Sequence, residues 1–369
     1  MGSEVLIGVG LYVLGGLAGA SFYLPLQKVK NWAWESYWMI YAVSALVIVP
    51  WVLALVLSPY LFQVLGHADA NTLLWCFVFG AMWGIGGLTW GLMIRYLGVG
   101  LGLAIGAGVC ASVGTILPPI FKGEFNKLLH APSGAGVYIL IGVGVAVAGI
   151  VFVGLAGMSK ERELSAEQKT QGVAEYNFPL GLALAIFSGV MSSGMALGIR
   201  NGDPIKALAE KIEPNSSVTW RGLPVLVVVL AGGALINIAY CLLLNLKNRT
   251  GRNYSDRSSP LISNYVLGAL AGFVWYLQFL LLTIGDGHLG NFAFSGFSIL
   301  MSSMILFSTI FGIMLKEWKG TTGRTRGLLA LGLAILLASV VVIGYGNYLD
   351  STQLKSPAKN ATATATEKT

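Results

Sequence analysis

Four ionisable residues stand at the edges of long apolar runs: Glu35, Asp286, His288 and Glu317. Each is a candidate to carry a proton, because proton-coupled movement through a membrane needs a group that titrates. Glu35 closes the stretch Phe22–Glu35, FYLPLQKVKNWAWE, in which Pro25 breaks a helix and Lys28, Lys30, Trp32 and Trp34 follow. Two readings are open for it. One is a gated mouth, where Lys28 or Lys30 hydrogen-bonds a polar solute and Glu35 exchanges a proton. The other is an interfacial turn with snorkelling lysines and an aromatic belt. Asp286-Gly287-His288 sets a carboxylate near an imidazole in a short, glycine-rich turn, which also reads as an ordinary solvated turn. Lys316-Glu317 reads as an interfacial charge pair. For proton coupling Glu35 is preferred, with Asp286 second.

A second set of residues suits a neutral, hydroxylated ligand. Trp83 and Trp90 are spaced to share one helical face, and Trp275, Tyr276 and Gln278 cluster within one turn. Sugar rings lay their apolar C–H faces on aromatic rings, while amides bond hydroxyls. Aromatic packing around one satisfied amide is the other reading. The binding candidates are therefore Trp83, Trp90, Trp275, Tyr276 and Gln278, with Lys28 at the mouth. Asn237 reads as an interhelical hydrogen bond, and Arg95 as a cytoplasmic anchor or a substrate contact. Enzyme signatures are missing. His67, His130 and His288 are isolated, and no HExxH, GxSxG or P-loop occurs. The string GIGGLTWG lies within an apolar span and follows no strand. Cys76, Cys110 and Cys241 all lie in apolar runs without paired spacing, so they read as small core residues. No catalytic residue, cofactor or metal is implied.

The elements that hold these groups are membrane spans. The chain of 369 residues is 55% hydrophobic and 11% charged, with mean hydropathy +0.74. Soluble domains carry about 25% charged residues. This is an all-α polytopic membrane protein. The expected spans are ten transmembrane helices: 5–24, 37–57, 72–94, 99–120, 136–157, 178–199, 223–244, 261–284, 289–315 and 327–346. The runs lack the alternation of an outer-membrane barrel. The net charge of +7 is scattered among loops, which argues for topology rather than a nucleic-acid partner. Met1-Gly2-Ser3-Glu4 lacks the basic start of a secretory signal. Glycine is abundant, 49 residues, and crowds into the third and fourth spans, where helix backbones are expected to lie close together.

The two halves resemble each other. A Gly/Trp-rich span passes through Arg95-Tyr96-Leu97-Gly98 into a second span ending Phe121-Lys122-Gly123-Glu124. Gly268–Ile284 passes through Gly285-Asp286-Gly287-His288 into a span ending Lys316-Glu317-Trp318. The organisation is a first five-helix repeat (1–158), a polar connecting loop (159–177), a second five-helix repeat (178–348) and a disordered tail (349–369). Five is odd, so the second copy inserts upside down. Inverted repeats belong to secondary transporters, with the substrate near the midplane. Lys and Arg concentrate on the side holding Lys28, Lys30, Arg95 and the loops 159–176, 247–257 and 316–326. That side is expected to be cytoplasmic, with both termini outside.

FYLPLQKVKNWAWE, FGAMWGIGGLTWGLMIRYLG, VWYLQF and LKEW together resemble the bacterial L-rhamnose–proton symporter family of the drug/metabolite transporter superfamily. The resemblance runs through nearly all ten spans. It implies an inner-membrane transporter that imports L-rhamnose, or a similar 6-deoxy sugar, with a proton by alternating access. Its partners would be the sugar, the proton and the bilayer; oligomeric state is not implied. Gln27, Val99-Gly100 and residues 285–291 depart from the family pattern, so the resemblance implies a class of sugar rather than one sugar. Two other functions fit the same architecture: a drug or metabolite exporter, and a membrane sugar receptor that transports nothing. The absence of a sizeable soluble signalling domain counts against the receptor.

Overall fold

Local chemistry sets where each helix starts and stops. A computed structural model describes residues 2–121, 123, 125–126, 130, 134–164, 175–213, 220–289 and 296–353. The main helices are α1 (Gly2–Ser21), α2 (Trp34–Leu57), α3 (Ala70–Leu97), α4 (Val99–Phe121) and α5 (Ala135–Glu163). They continue with α6 (Phe178–Ser192), α7 (Leu223–Asn248), α8 (Leu261–Leu289), α9 (Gly296–Met314) and α10 (Gly323–Gln353). Asp69 begins α3 by accepting a hydrogen bond from the Thr72 N–H at 2.8 Å, and Asn177 begins α6 in the same way from Leu180 at 3.2 Å. Gly98, at φ +87°, breaks α3 from α4, a backbone conformation that glycine adopts without strain. In α2 a π-helical turn, Ser44–Ile48, precedes Pro50, which has no N–H to continue the ladder.

No strand occurs among the described residues. Eight helical stretches are long and apolar enough to cross a membrane, and Val99–Gly114 and Ile299–Met314 are shorter apolar helices. Leu243, Leu246, Ile262 and Val341 are exposed on the outside of the bundle. Such apolar exposure suits lipid, not water.

α1 packs on α8 and α9, and α6 packs on α3 and α4. α3 lies on α7, and α8 lies on α2. α4 pairs with α9, and α5 with α10. Glycines permit the closest of these contacts. A Cβ added at Gly80 of α3 would sit 1.9 Å from the Val229 carbonyl oxygen of α7, and one at Gly232 would sit 2.0 Å from that of Phe77. With no water to drive apolar helices together, such close backbone packing holds membrane helices in register.

Two segments differ from their reading as polar connections. Ser159–Glu163 continue α5, because Lys160 is buried rather than solvated. Asp286–Leu289 continue α8 instead of forming a turn, and the side chains of Asp286 and His288 lie outside the described residues.

Candidate functional site

Trp275 on α8 and Trp83 on α3 face each other across the bundle, with ring centres 5.4 Å apart and planes inclined by 33°. Phe279, one turn after Trp275, lies edge-on to it at 5.0 Å, and Tyr41 of α2 lies edge-on at 6.4 Å. Trp38 stacks on Trp34 at 5.0 Å and touches Tyr41 at 4.7 Å. Helical periodicity brings these rings together from the first two turns of α2 and from about the middle of α3 and α8.

All of them but Trp34 line a cavity of about 450 Å³. That lies within the roughly 300–1,000 Å³ of small-molecule sites. Trp83, Trp90, Trp275 and Gln278 all face it, as do Trp38 and Asn237. Ser192, Ser193 and Arg200 extend its lining toward the end of α6. Asn237 is 2% exposed and holds the aromatic wall in place. Its Oδ1 accepts from the Trp38 indole N–H at 3.0 Å, while its amide donates to the Gly84 and Gly233 carbonyls at 3.1 and 2.9 Å. The Gln278 amide donates to the Trp275 carbonyl at 3.0 Å, and its oxygen faces Gly19 of α1. No Asp, Glu or His is among the described residues lining the cavity. The cavity can therefore hold a neutral ligand with one apolar face and several hydroxyls. Among the described residues, its lining has no carboxylate or imidazole to titrate near neutral pH.

The remaining residues singled out from the sequence lie elsewhere. Tyr276 is 1% exposed and packs in the core, behind the cavity wall. Lys28 is exposed in the turn after the short helix Tyr23–Leu26 and does not line the cavity. Glu35 is buried outside the cavity, where its carboxylate accepts from Asn248 at 3.0 Å and Thr250 at 2.8 Å. It thereby ties α2 to the turn after α7. Asn245 and Ser36 extend the same network, with Ser36 Oγ donating to Asn253 at 2.9 Å. Trp38 and Lys160 were not singled out as functional from the sequence, whereas Glu317 was named there as a proton candidate and then read as half of an interfacial charge pair with Lys316. Trp38 is four residues from Trp34, a spacing that would have marked a shared face. Lys160 sits in a polar run that looks solvated.

At the Glu35 end, three further ties close the bundle. Arg95 pairs with Glu175 at 2.5 Å. Glu317 reaches the start of α4. Glu163 accepts from the Thr322 N–H at 2.9 Å and from the Thr325 hydroxyl at 2.7 Å. These donors hold the exposed Glu163 carboxyl down to about 2. The cavity lining runs from Phe22 and Trp38, near the Glu35 end, through the middle of the bundle to Arg200 toward the opposite end.

The model of the L-rhamnose-proton symport protein family matches residues 1–348. The chain is 35% identical over 350 residues to the L-rhamnose-proton symporters of Yersinia pestis (strain Pestoides F) and Yersinia pseudotuberculosis serotype O:1b (strain IP 31758). Each alignment covers 94% of this chain and 99% of the relative.

Proposed function

The chain belongs to the L-rhamnose-proton symport family, and from that premise we propose how its residues import L-rhamnose, or a similar 6-deoxy sugar, with a proton across the inner membrane. One observation carries the reading: an intramembrane cavity faced by indoles and amides, with no Asp, Glu or His in its lining among the described residues. A 6-deoxy sugar has a methyl group and a C–H face for Trp83, Trp90 and Trp275. Its hydroxyls suit Gln278, Asn237 and the serines. Tyr276 supports the wall from behind, and Lys28 serves as a basic group at the mouth.

The architecture proposed is ten transmembrane helices as two inverted five-helix repeats, 1–158 and 178–348. The packing supports it. Adding five to each helix number turns the α1 contacts with α8 and α9 into the α6 contacts with α3 and α4. It turns the α3–α7 contact into α8–α2, and leaves α4–α9 and α5–α10 paired with themselves. Such a pair of repeats rocks about a central site and exposes it to each side in turn. The proposed orientation places Glu35 and Glu317 at the cytoplasmic end and Arg200 at the outer end.

Since no carboxylate lines the sugar cavity among the described residues, we place the action of the proton elsewhere, through the balance between conformations. Glu35 and Asp286 are the candidates named from the sequence. Protonation of Glu35 would remove the acceptor that Asn248 and Thr250 use, and so loosen α2 from the turn after α7. The test is uptake of labelled L-rhamnose by purified protein in liposomes. Accumulation that requires an inward proton gradient and collapses with an uncoupler supports symport. Its absence in folded protein refutes it. Retention of accumulation by Glu35→Gln removes Glu35 from the mechanism.

A further inference from the structure

Glu317 is 1% exposed, more deeply buried than Glu35 or Glu213, and it does not line the sugar cavity. The turn after α9 aims it. Lys316 has φ +61°, and the Glu317 N–H donates to the Gly312 carbonyl at 3.0 Å, the closure that a left-handed residue gives a helix end. The side chain then reaches the first turn of α4. There the Val99 N–H donates to Oε1 at 2.6 Å and the Gly100 N–H to Oε2 at 3.1 Å. Glycines make the slot. A Cβ at Gly98 would lie 2.6 Å from the carboxyl carbon, and one at Gly312 would lie 2.9 Å from Oε2.

A helix start alone accounts for a capping carboxylate. Lys160 of α5 is the second observation. Its ammonium is 0% exposed, has no hydrogen-bond partner, and sits 5.0 Å from the Tyr176 ring centre and 4.9 Å from that of Trp318. A cation withdrawn from water in this way is sensitive to the charge of a nearby acid. Among the described residues, the other charged groups at this end are engaged or exposed. Arg95 pairs with Glu175, Glu163 is bound by Thr322 and Thr325, and Lys316 and Lys319 face outward.

We propose that Glu317 is a positioning residue that couples the proton to opening of this end, with Lys160 as its electrostatic partner. The inference rests on the symport reading and assigns its proton. In the closed arrangement the group is a carboxylic acid wedged between α9 and α4. On opening it becomes a carboxylate, and the proton, taken up from the outer side while this end is shut, passes to water at the side that opens. Burial drives this sign: it pushes the Glu317 carboxyl up to about 7, against the opposing pull of Lys160 and the two N–H donors. A water-exposed glutamate has an ordinary value near about 4.3. The closed end therefore binds the proton more tightly than the open end. Acid favours closure, and rising pH through about 7 favours opening.

Glu317→Gln keeps one of the two acceptor oxygens and removes the titration. In liposomes with a one-unit pH gradient, one-for-one coupling drives wild-type accumulation up to about tenfold. The Glu317→Gln protein should still show sugar-dependent quenching of its tryptophan fluorescence, yet reach no accumulation and lose the pH dependence of uptake between pH 6 and 8. Accumulation and a pH profile equal to wild type overturn the proposal. If Glu317→Gln does not fold, Lys160→Met decides. Loss of the cation should move the pH midpoint of uptake upward, and an unmoved or lowered midpoint overturns the proposal. A sugar-free measurement separates this inference from the symport reading. Amide exchange of Val99 and Gly100, corrected for intrinsic rates, should lose at least tenfold protection from pH 6 to 8 in wild type but not in Glu317→Gln. Failure of wild-type rhamnose uptake with that signature present refutes the substrate and leaves the latch. The same pH trend in both proteins refutes the latch.

Discussion

Gly80→Ala should damage this protein far more than its single methyl suggests. The added Cβ falls 1.9 Å from the Val229 carbonyl oxygen, about 1.5 Å short of ordinary contact, and the obstacle is backbone rather than a flexible side chain. α3 and α7 must then separate. Overpacking of this kind costs about 1–3 kcal/mol, and a gap of even ~0.5–1 Å forfeits a quarter to a half of each dispersion contact along the interface. Alanine returns at most about 1 kcal/mol in helix propensity. The net expectation is a loss of about 2 kcal/mol, which lowers the melting temperature in detergent by roughly 3 °C for a chain of this size. Gly144→Ala in α5 is the control, since its Cβ meets nothing within 4 Å and should be neutral or stabilising. Trp83 lies one turn from Gly80 on the same helix. Displacement of α3 should therefore move it off Trp275 and weaken sugar binding together with stability. A Gly80→Ala protein that melts at or above the wild-type temperature would refute the close-approach argument.

Other predictions follow from the same geometry. Trp275→Ala and Gln278→Ala should each weaken L-rhamnose binding about tenfold, roughly 1.4 kcal/mol, in a fluorescence titration; unchanged affinity places the sugar elsewhere. Glu163 has a depressed carboxyl, so its stabilising ties to Thr322 and Thr325 are fully present above the ordinary glutamate range and lost as pH falls toward about 2. Glu163→Gln should flatten that acid dependence of the melting temperature without changing the direction of transport. Lys316→Gly should raise stability by about 1 kcal/mol, because a non-glycine residue at φ +61° is strained. A lower melting temperature for Lys316→Gly would show that the lysine side chain contributes more than the strain costs.

Much of the architecture was legible without coordinates, because the bilayer imposes a one-dimensional rule. Every spanning segment must be a long apolar helix, so length and hydropathy mark the helices directly. Glycine crowding in the third and fourth spans marked close approach, and the contacts of Gly80 with Val229 are its realisation. Trp83, Trp90, Trp275 and Gln278 were legible as cavity residues by spacing and type. Local pattern could not separate Tyr276 from its neighbours, since burial behind the wall depends on how α8 is rotated against the bundle. Nor could it place Lys160. A lysine in a run of charges looks solvated until Tyr176 and Trp318 close over it from distant parts of the chain. The pairing of Glu317 with the start of α4 joins residues more than two hundred positions apart. The sequence by itself determined the helices, the membrane and the family. Only the tertiary structure decided which ionisable groups are withdrawn from water, because desolvation is a property of the packed neighbourhood and not of the residue.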